Sequence, residues 1–325
     1  MWNPLFLLPP ETAHKVALWS VKHRLVSKNR HYEHSEKELC GIKFSASVGL
    51  SAGADKEGYA LNGWGKVGFG FVETGTVTLN PREGNPKPRI WRQKKSNSIV
   101  NWMGLPGEGL DAFLKNIKNY RAHPSQEKLV IGVSIASPEG KINDLKILAK
   151  EISPYADYFT LNASCPNVDH GAQGLDLLVE QIKAVNASSK GAPLFLKIAP
   201  TRDQHALEAT LKTTFDVGVK GFVLTNTVPA TASDLLGDFT FKWPEYNGDK
   251  VGGYSGPKLL DTTCFMVSCA RKILGKSVPI IGVGGIQSAQ DAQQVIKAGA
   301  DLIQLYTGFV YSGPRLIDEI NKSFL

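Results

Sequence analysis

Short apolar runs, rich in β-branched and aromatic residues, recur eight times along the chain, at 44–50, 70–76, 129–135, 158–162, 194–198, 221–225, 279–282 and 302–306. Between and after them lie stretches with helical periodicity, at 57–66, 108–121, 143–152, 175–187, 204–217, 257–274, 289–298 and 314–324. Buried strands that alternate with amphipathic helices predict a parallel sheet covered on both faces. Eight near-regular units in roughly 280 residues favour closure into a (β/α)8 TIM barrel over the rival, a doubly wound open sheet. The longest interruption, 228–253, carries Trp243, Pro244, Tyr246 and several glycines and reads as an active-site loop.

The first 35 residues break this rhythm. Residues 10–22 read as a helix, with Pro10 in the first turn and Glu11 near the positive end of the dipole. Ala13, Val16, Ala17 and Val21 fall on one face, and the apolar Leu5-Phe6-Leu7-Leu8 precedes it. Two readings stand: a helix packed on the main domain, or one lying in a membrane interface. The expected organisation is a short N-terminal helical extension over 1–35 and a barrel over 36–325.

Length and composition fit that picture: 325 residues, 42% hydrophobic and 21% charged, suit one large barrel. No apolar run approaches the roughly 18–20 residues of a membrane span, and the start lacks the pattern of a secretory signal. The chain is therefore expected in the cytoplasm. Net charge is +7. This suits phosphate or anionic lipid partners, or simply a mildly basic surface. Of the cysteines, Cys40, Cys165, Cys264 and Cys269, none forms a C-x-x-C pair, so neither a zinc knuckle nor a redox dithiol is indicated.

In such barrels the chemistry sits at the C-terminal strand ends. Here those ends read Ser51 to Lys56, Thr74 to Thr78, Ser134 to Ala136, Asn162 to Asn167, Lys197, and Thr225 to Thr227. They are rich in amides, hydroxyls and lysines, without a His or carboxylate cluster suited to a metal. A buried Lys197 calls for an anionic partner. Strands seven and eight end in Gly282-Val283-Gly284-Gly285-Ile286 and Tyr306-Thr307-Gly308-Phe309. Glycines there allow close backbone approach to a ligand, and this pair of loops is the usual phosphate site of the barrel.

Together the motifs resemble dihydroorotate dehydrogenase over nearly the whole chain. They are Ala52-Gly53-x-Asp55-Lys56, Gly75-Thr76-Val77-Thr78, Gly84-Asn85-Pro86-Lys87-Pro88-Arg89, Asn162-x-Ser164-Cys165-Pro166-Asn167, Lys197-Ile198-Ala199-Pro200, Thr225-Asn226-Thr227 and Gly282-Val283-Gly284-Gly285-Ile286. The resemblance implies FMN held by Ala52, Gly53, Lys56, Thr76, Ser134, Asn162, Lys197, Thr225, Gly256, Gly284, Gly285, Tyr306 and Thr307. It implies an orotate-like ring held by Lys56, Asn101, Met103, Gly104, Leu105, Asn162, Asn167, Asn226 and Thr227. Asparagines suit a cyclic diamide because each offers a donor and an acceptor. The implied reaction, a step of pyrimidine biosynthesis, oxidises (S)-dihydroorotate to orotate, with Cys165 as the catalytic base. Pro10-Glu11-x-Ala13-His14 matches the N-terminal extension of the membrane-associated, quinone-using branch. His14, Arg92 and Tyr306 fall where that branch lines its quinone tunnel. Peripheral contact with the cytoplasmic face of the cell membrane, and no nucleic acid, are the further expectations.

Three features depart from that branch. Cys165 stands where it normally has Ser, Ser134 where it usually has Asn, and Asn101-Trp102-Met103-Gly104-Leu105-Pro106 looks like the soluble, fumarate-using branch. The alternatives are a soluble-type dihydroorotate dehydrogenase, a related FMN enzyme acting on dihydropyrimidines or on dihydrouridine in tRNA, and a flavin-binding protein without catalysis.

Overall fold

The computed structural model describes residues 4–26, 36–125, 129–162, 174–230 and 252–324. Its strands are β1 (Lys37–Leu39), β2 (Ile42–Phe44), β3 (Val48–Leu50), β4 (Phe71–Val77), β5 (Ile90–Gln93), β6 (Ser98–Asn101), β7 (Val130–Ile135), β8 (Tyr158–Leu161), β9 (Leu194–Ile198), β10 (Gly221–Leu224), β11 (Val228–Ala230), β12 (Gly252–Ser255), β13 (Ile280–Val283) and β14 (Leu302–Leu305). Strands β3, β4, β7, β8, β9, β10, β13 and β14 pair in that order and close from β14 back to β3. The predicted (β/α)8 barrel is the observed one, ringed by helices Leu61–Val67, Gly109–Ala122, Ile142–Ile152, Leu175–Ser188, Gln204–Asp216, Leu260–Leu274, Ala289–Ala298 and Pro314–Ser323.

The strands read as unbroken apolar runs because both faces are covered. Outward residues such as Val72, Ile131, Phe159 and Ile303 meet the helices in one large cluster. Inward residues Phe44, Phe71, Val130, Tyr158, Phe195, Val223, Ile281 and Leu302 fill the barrel floor. Large side chains there need small neighbours. A Cβ on Gly132 would lie 2.1 Å from the Tyr158 ring, and one on Gly49 would lie 2.3 Å from the Phe71 ring. Each buried ring contributes about 1.5–3 kcal/mol.

The bottom of the barrel is tied by a repeated device. Asp157, at the start of β8, accepts from Ile131 N at 2.7 Å and pairs with Arg121 at 2.9 Å. Asp301, at the start of β14, accepts from Ile280 N at 2.8 Å and pairs with Arg271 at 2.7 Å. The antiparallel hairpin β1–β2 plugs the same end, where Phe44 meets the Phe71 ring edge-on at 5.3 Å.

Four expectations shift. The run at 44–50 is two pieces: Phe44 ends the hairpin, a bend at 45–47 follows, and Val48 starts the barrel. The bend packs directly on the next unit, since a Cβ on Gly70 would lie 2.5 Å from Ala46 N. The helix expected at 57–66 starts at Leu61, because Asp55 ties Tyr59 N and Ala60 N into a turn before it. The interruption after β10 begins and ends in strands. These, β11 and β12, join β6 and β5 in a four-stranded antiparallel sheet beside the barrel mouth. Lastly, Val16 is 39% exposed on the N-terminal helix Pro10–Lys22, whose buried face carries Ala13 and Val21.

Candidate active site

Side chains on a strand alternate, so counting by two from the floor reaches the mouth on the same face. On β8 the count runs Tyr158, Thr160, Asn162; on β7, Val130, Gly132, Ser134. On β9 it runs Phe195, Lys197; on β10, Val223, Thr225; and on β14, Leu302, Gln304, Tyr306. A polar middle layer separates floor from mouth. There the fully buried Glu73 accepts from Thr160 Oγ1 and Gln304 Nε2, both at 2.9 Å.

Strand β4 departs from the count, and the departure builds the site. Its pairing with β7 shifts between Thr74 and Val77. An irregularity of this kind re-aims a side chain, and here it turns Thr76 inward. Thr76 Oγ1 accepts from Asn162 Nδ2 at 2.9 Å and lies 3.0 Å from Ser134 Oγ. Asn162 Oδ1 accepts from Asn226 Nδ2 at 3.2 Å, and Asn226 Oδ1 accepts from Thr227 N at 2.9 Å. One line of polar contacts thus crosses the mouth from β7 to the loop after β10. Thr225 donates to Ile198 O at 3.1 Å, and the Lys197 side chain is buried in the same mouth.

Loops bring the remaining groups over this line. The buried Asp55 accepts from Tyr59 N, Ala60 N and Trp64 Nε1 at 2.7–2.9 Å, and this fixes the turn that presents Lys56. Burial pushes the Asp55 carboxyl up, against those donors. Lys56 Nζ reaches Pro106 O at 3.4 Å. Asn101 ends β6 opposite Gly253 and donates to its carbonyl at 3.3 Å. Met103 O accepts from Asn85 N at 2.9 Å. Gly104 turns at φ +70°, where any side chain would lie 2.6 Å from Asn85 Oδ1.

Opposite, Gly53 N donates to Gly75 O at 2.7 Å, and a Cβ on Gly53 would lie 3.5 Å from the Tyr306 ring. Thr307 Oγ1 lies 2.7 Å from Ser255 Oγ, and Thr307 opens the short helix Thr307–Ser312. Gly284 and Gly285 lie beside the Leu259–Leu260 segment. A Cβ on Gly285 would lie 2.3 Å from Leu260 N, so glycine at 285 lets the start of the helix Leu260–Leu274 pack against the end of β13.

The N-terminal segment closes one side of the mouth. Arg92 donates to Leu5 O at 3.2 Å and to Leu8 O at 2.5 Å, with Phe6 stacked on its guanidinium. Glu11 pairs with Arg89 at 2.6 Å. Burial and the nearby Lys56 ammonium pull the His14 imidazole down to about 4.

This arrangement agrees with what the chain is similar to. The family model described as dihydroorotate dehydrogenase matches residues 35–325. The chain belongs to the dihydroorotate dehydrogenase family. A relative from Polaromonas naphthalenivorans, described as dihydroorotate dehydrogenase (quinone), is 36% identical over 98% of this chain and 95% of its own length. One from a Janthinobacterium species, with the same description, is 34% identical over 97% and 94%. Two crystal structures of the enzyme from Eimeria tenella superpose closely. One, with ferulenol, has a TM-score of 0.86 at 28% identity, covering 100% of this chain and 94% of that one. The other, ligand-free, has 0.84 at 30% identity, covering 97% and 94%.

Of the expected family positions, Lys56, Thr76, Ser134, Asn162, Lys197, Thr225, Asn226, Thr227 and Tyr306 lie at one mouth. Asn101 to Leu105, Gly256, Gly284, Gly285 and Thr307 lie on the loops around it. Cys165 and Asn167 lie outside the described residues. Sequence reading overlooked Glu73, Gln304, the Ser255 partner of Thr307, and strands β5 and β6, and it gave Arg89 no role beyond its place in a motif. The apolar pairs Ile90-Trp91 and Ile99-Val100, on either side of the polar stretch Arg92 to Ser98, were the hairpin signal that the sequence offered.

Proposed function

We propose that this chain oxidises dihydroorotate to orotate and passes the electrons to a quinone, with FMN as its flavin. The polar line Ser134–Thr76–Asn162–Asn226–Thr227 across the barrel mouth carries the reading. It offers neutral donors and acceptors on a wall built from the ends of three strands, β4, β7 and β8, and the loop after β10, with the Lys197 ammonium beside it. That donor set fits a flat, amide-rich ring able to hold negative charge. In this reading Ala52, Gly53, Thr76, Ser134, Asn162, Lys197, Thr225 and Tyr306 would hold FMN, and Gly256, Gly284, Gly285 and Thr307 would hold its phosphate. Bound there, FMN supplies the two-electron acceptor for the hydride leaving C6 of the substrate.

The chain's own residues hold and deprotonate the substrate. Asn101, Asn162, Asn167 and Asn226 address the ring amides, and Thr227 the ring's rim. Lys56 attracts the substrate carboxylate, fixed by the Asp55 turn. Cys165, as thiolate, takes the proton from C5; a free thiol has a pKa near about 8.5, so the rate should rise with pH until the thiol ionises.

The acceptor side rests on the N-terminal segment. His14, Arg92 and Tyr306 are the proposed quinone-lining residues. With its pKa near 4, His14 is neutral at pH 7 and can donate one hydrogen bond. Leu7, Val16, Trp19 and Leu25 are exposed there, near Lys15, Lys22, His23 and Arg24. An apolar face flanked by basic residues suits peripheral contact with a membrane. No helix among the described residues is long and apolar enough to cross one.

The test is spectroscopic. Purified protein should carry a flavin absorbance that dihydroorotate bleaches. Cys165→Ala should keep the flavin and lose the bleaching by roughly 10²–10⁴-fold in rate. Bleaching at the wild-type rate would remove Cys165 from the mechanism.

A further inference from the structure

The N-terminal helix is assigned above to the quinone side, yet one of its residues is wired to the substrate loop. Glu11 Oε1 accepts from Arg89 Nε at 2.6 Å. The same guanidinium donates through Nη1 to Glu83 O at 2.5 Å and Asn85 O at 3.1 Å. The Arg89 side chain is only 10% exposed, so its charge needs these partners. The 83–89 turn held in this way is the seat of the 101–106 loop. Asn85 N donates to Met103 O at 2.9 Å, and Trp102 N donates to Arg89 O at 2.8 Å. The fit leaves no slack: a Cβ on Gly84 would lie 2.3 Å from Met103 O and 2.8 Å from Arg89 Nη1. The 101–106 loop carries Asn101, Met103, Gly104 and Leu105, and its Pro106 carbonyl accepts from Lys56.

We propose that Glu11 and Arg89 are positioning residues for dihydroorotate. Glu11 orients the Arg89 fork, the fork sets the 83–89 turn, and the turn holds the 101–106 loop in its substrate-binding shape. The N-terminal helix is therefore part of the substrate site as well as a wall of the acceptor site. This rests on the dihydroorotate reading. It also has a practical consequence: removing the N-terminal helix would strip Arg89 of its carboxylate and disturb both half-reactions together.

Glu11 has a second partner that serves as a control. Lys87 Nζ lies 3.3 Å from Glu11 Oε2, but its side chain is 65% exposed. An exposed pair of this kind contributes little, and Lys87 holds no loop carbonyl among the contacts described.

The experiment compares Glu11→Ala, Glu11→Gln, Arg89→Lys and Lys87→Ala with the wild type as full-length, flavin-loaded protein. Orotate affinity is read by calorimetry, which needs no turnover, and KM and kcat are measured for dihydroorotate at saturating quinone. Glu11→Ala and Arg89→Lys should weaken orotate and raise KM by roughly tenfold or more, with a much smaller change in kcat, since a displaced binding loop costs positioning. Glu11→Gln, which keeps the hydrogen-bond acceptor, should recover part of the loss and stands in if the alanine variant does not fold. Lys87→Ala should match the wild type. Unchanged orotate affinity in Glu11→Ala and Arg89→Lys, with an altered quinone KM alone, would overturn the proposal. So would a Lys87→Ala loss equal to that of Glu11→Ala, which would make the effect bulk charge. Wild-type protein that binds no orotate would instead defeat the functional reading beneath it.

Discussion

Thr76 shows how a single side chain organises the mouth. Its hydroxyl meets both Ser134 Oγ and Asn162 Nδ2. Thr76→Val keeps the shape and leaves two buried groups short of a partner. The expected result is a loss of roughly 10- to 100-fold in kcat/KM for dihydroorotate, with the flavin retained; wild-type kinetics would contradict the network. The titration of His14 offers a second residue-scale prediction. Its folded pKa of about 4 lies below the ordinary 6.5, so the unfolded chain binds a proton first as pH falls. Stability is lost between pH 6.5 and 4, and His14→Gln should flatten the melting temperature over that window. His14 was expected only through the family resemblance; Thr76 itself was readable from the end of its strand. The inward aim of Thr76 was not, because it depends on where β4 slips against β7, and that is set by tertiary pairing.

At the scale of elements, the barrel was legible because eight strands buried on both faces cannot hide their apolar runs. The hairpin β5–β6 and strands β11 and β12 stayed hidden for the opposite reason. They are short, their sequences neither alternate nor run apolar throughout, and β6 and β12 pair across long sequence separation, as Gly253 does with Asn101. The bottom of the barrel gives an element-scale prediction. Asp301 joins β13, β14 and Arg271 away from the mouth. Asp301→Ala should lower unfolding free energy by about 2 kcal/mol in denaturant titration while leaving KM for dihydroorotate unchanged; a changed KM would mean the two ends of the barrel are coupled. The N-terminal helix is the other element with a clear expectation. Trp19 is 50% and Leu25 65% exposed. Replacing both with Gln should cut co-sedimentation with anionic vesicles severalfold and spare reduction by dihydroorotate, whereas unchanged vesicle binding would place the membrane contact elsewhere.

For the whole molecule, the proposed substrate and acceptor sites share one barrel mouth, walled by strand ends, an antiparallel sheet and the N-terminal segment. By resemblance, Cys165 and Asn101 to Pro106 look like the fumarate-using branch, whereas the N-terminal helix with His14 and Arg92 is the proposed quinone side. Its full-length likeness to relatives described as quinone enzymes favours the second. The decisive measurement is anaerobic. Protein is bleached with one equivalent of dihydroorotate, then mixed in a stopped-flow instrument with a quinone, fumarate or NAD. The account predicts complete bleaching and prompt return of the flavin colour with quinone only. Failure of dihydroorotate to bleach the protein, or recolouring by fumarate and not by quinone, would contradict it.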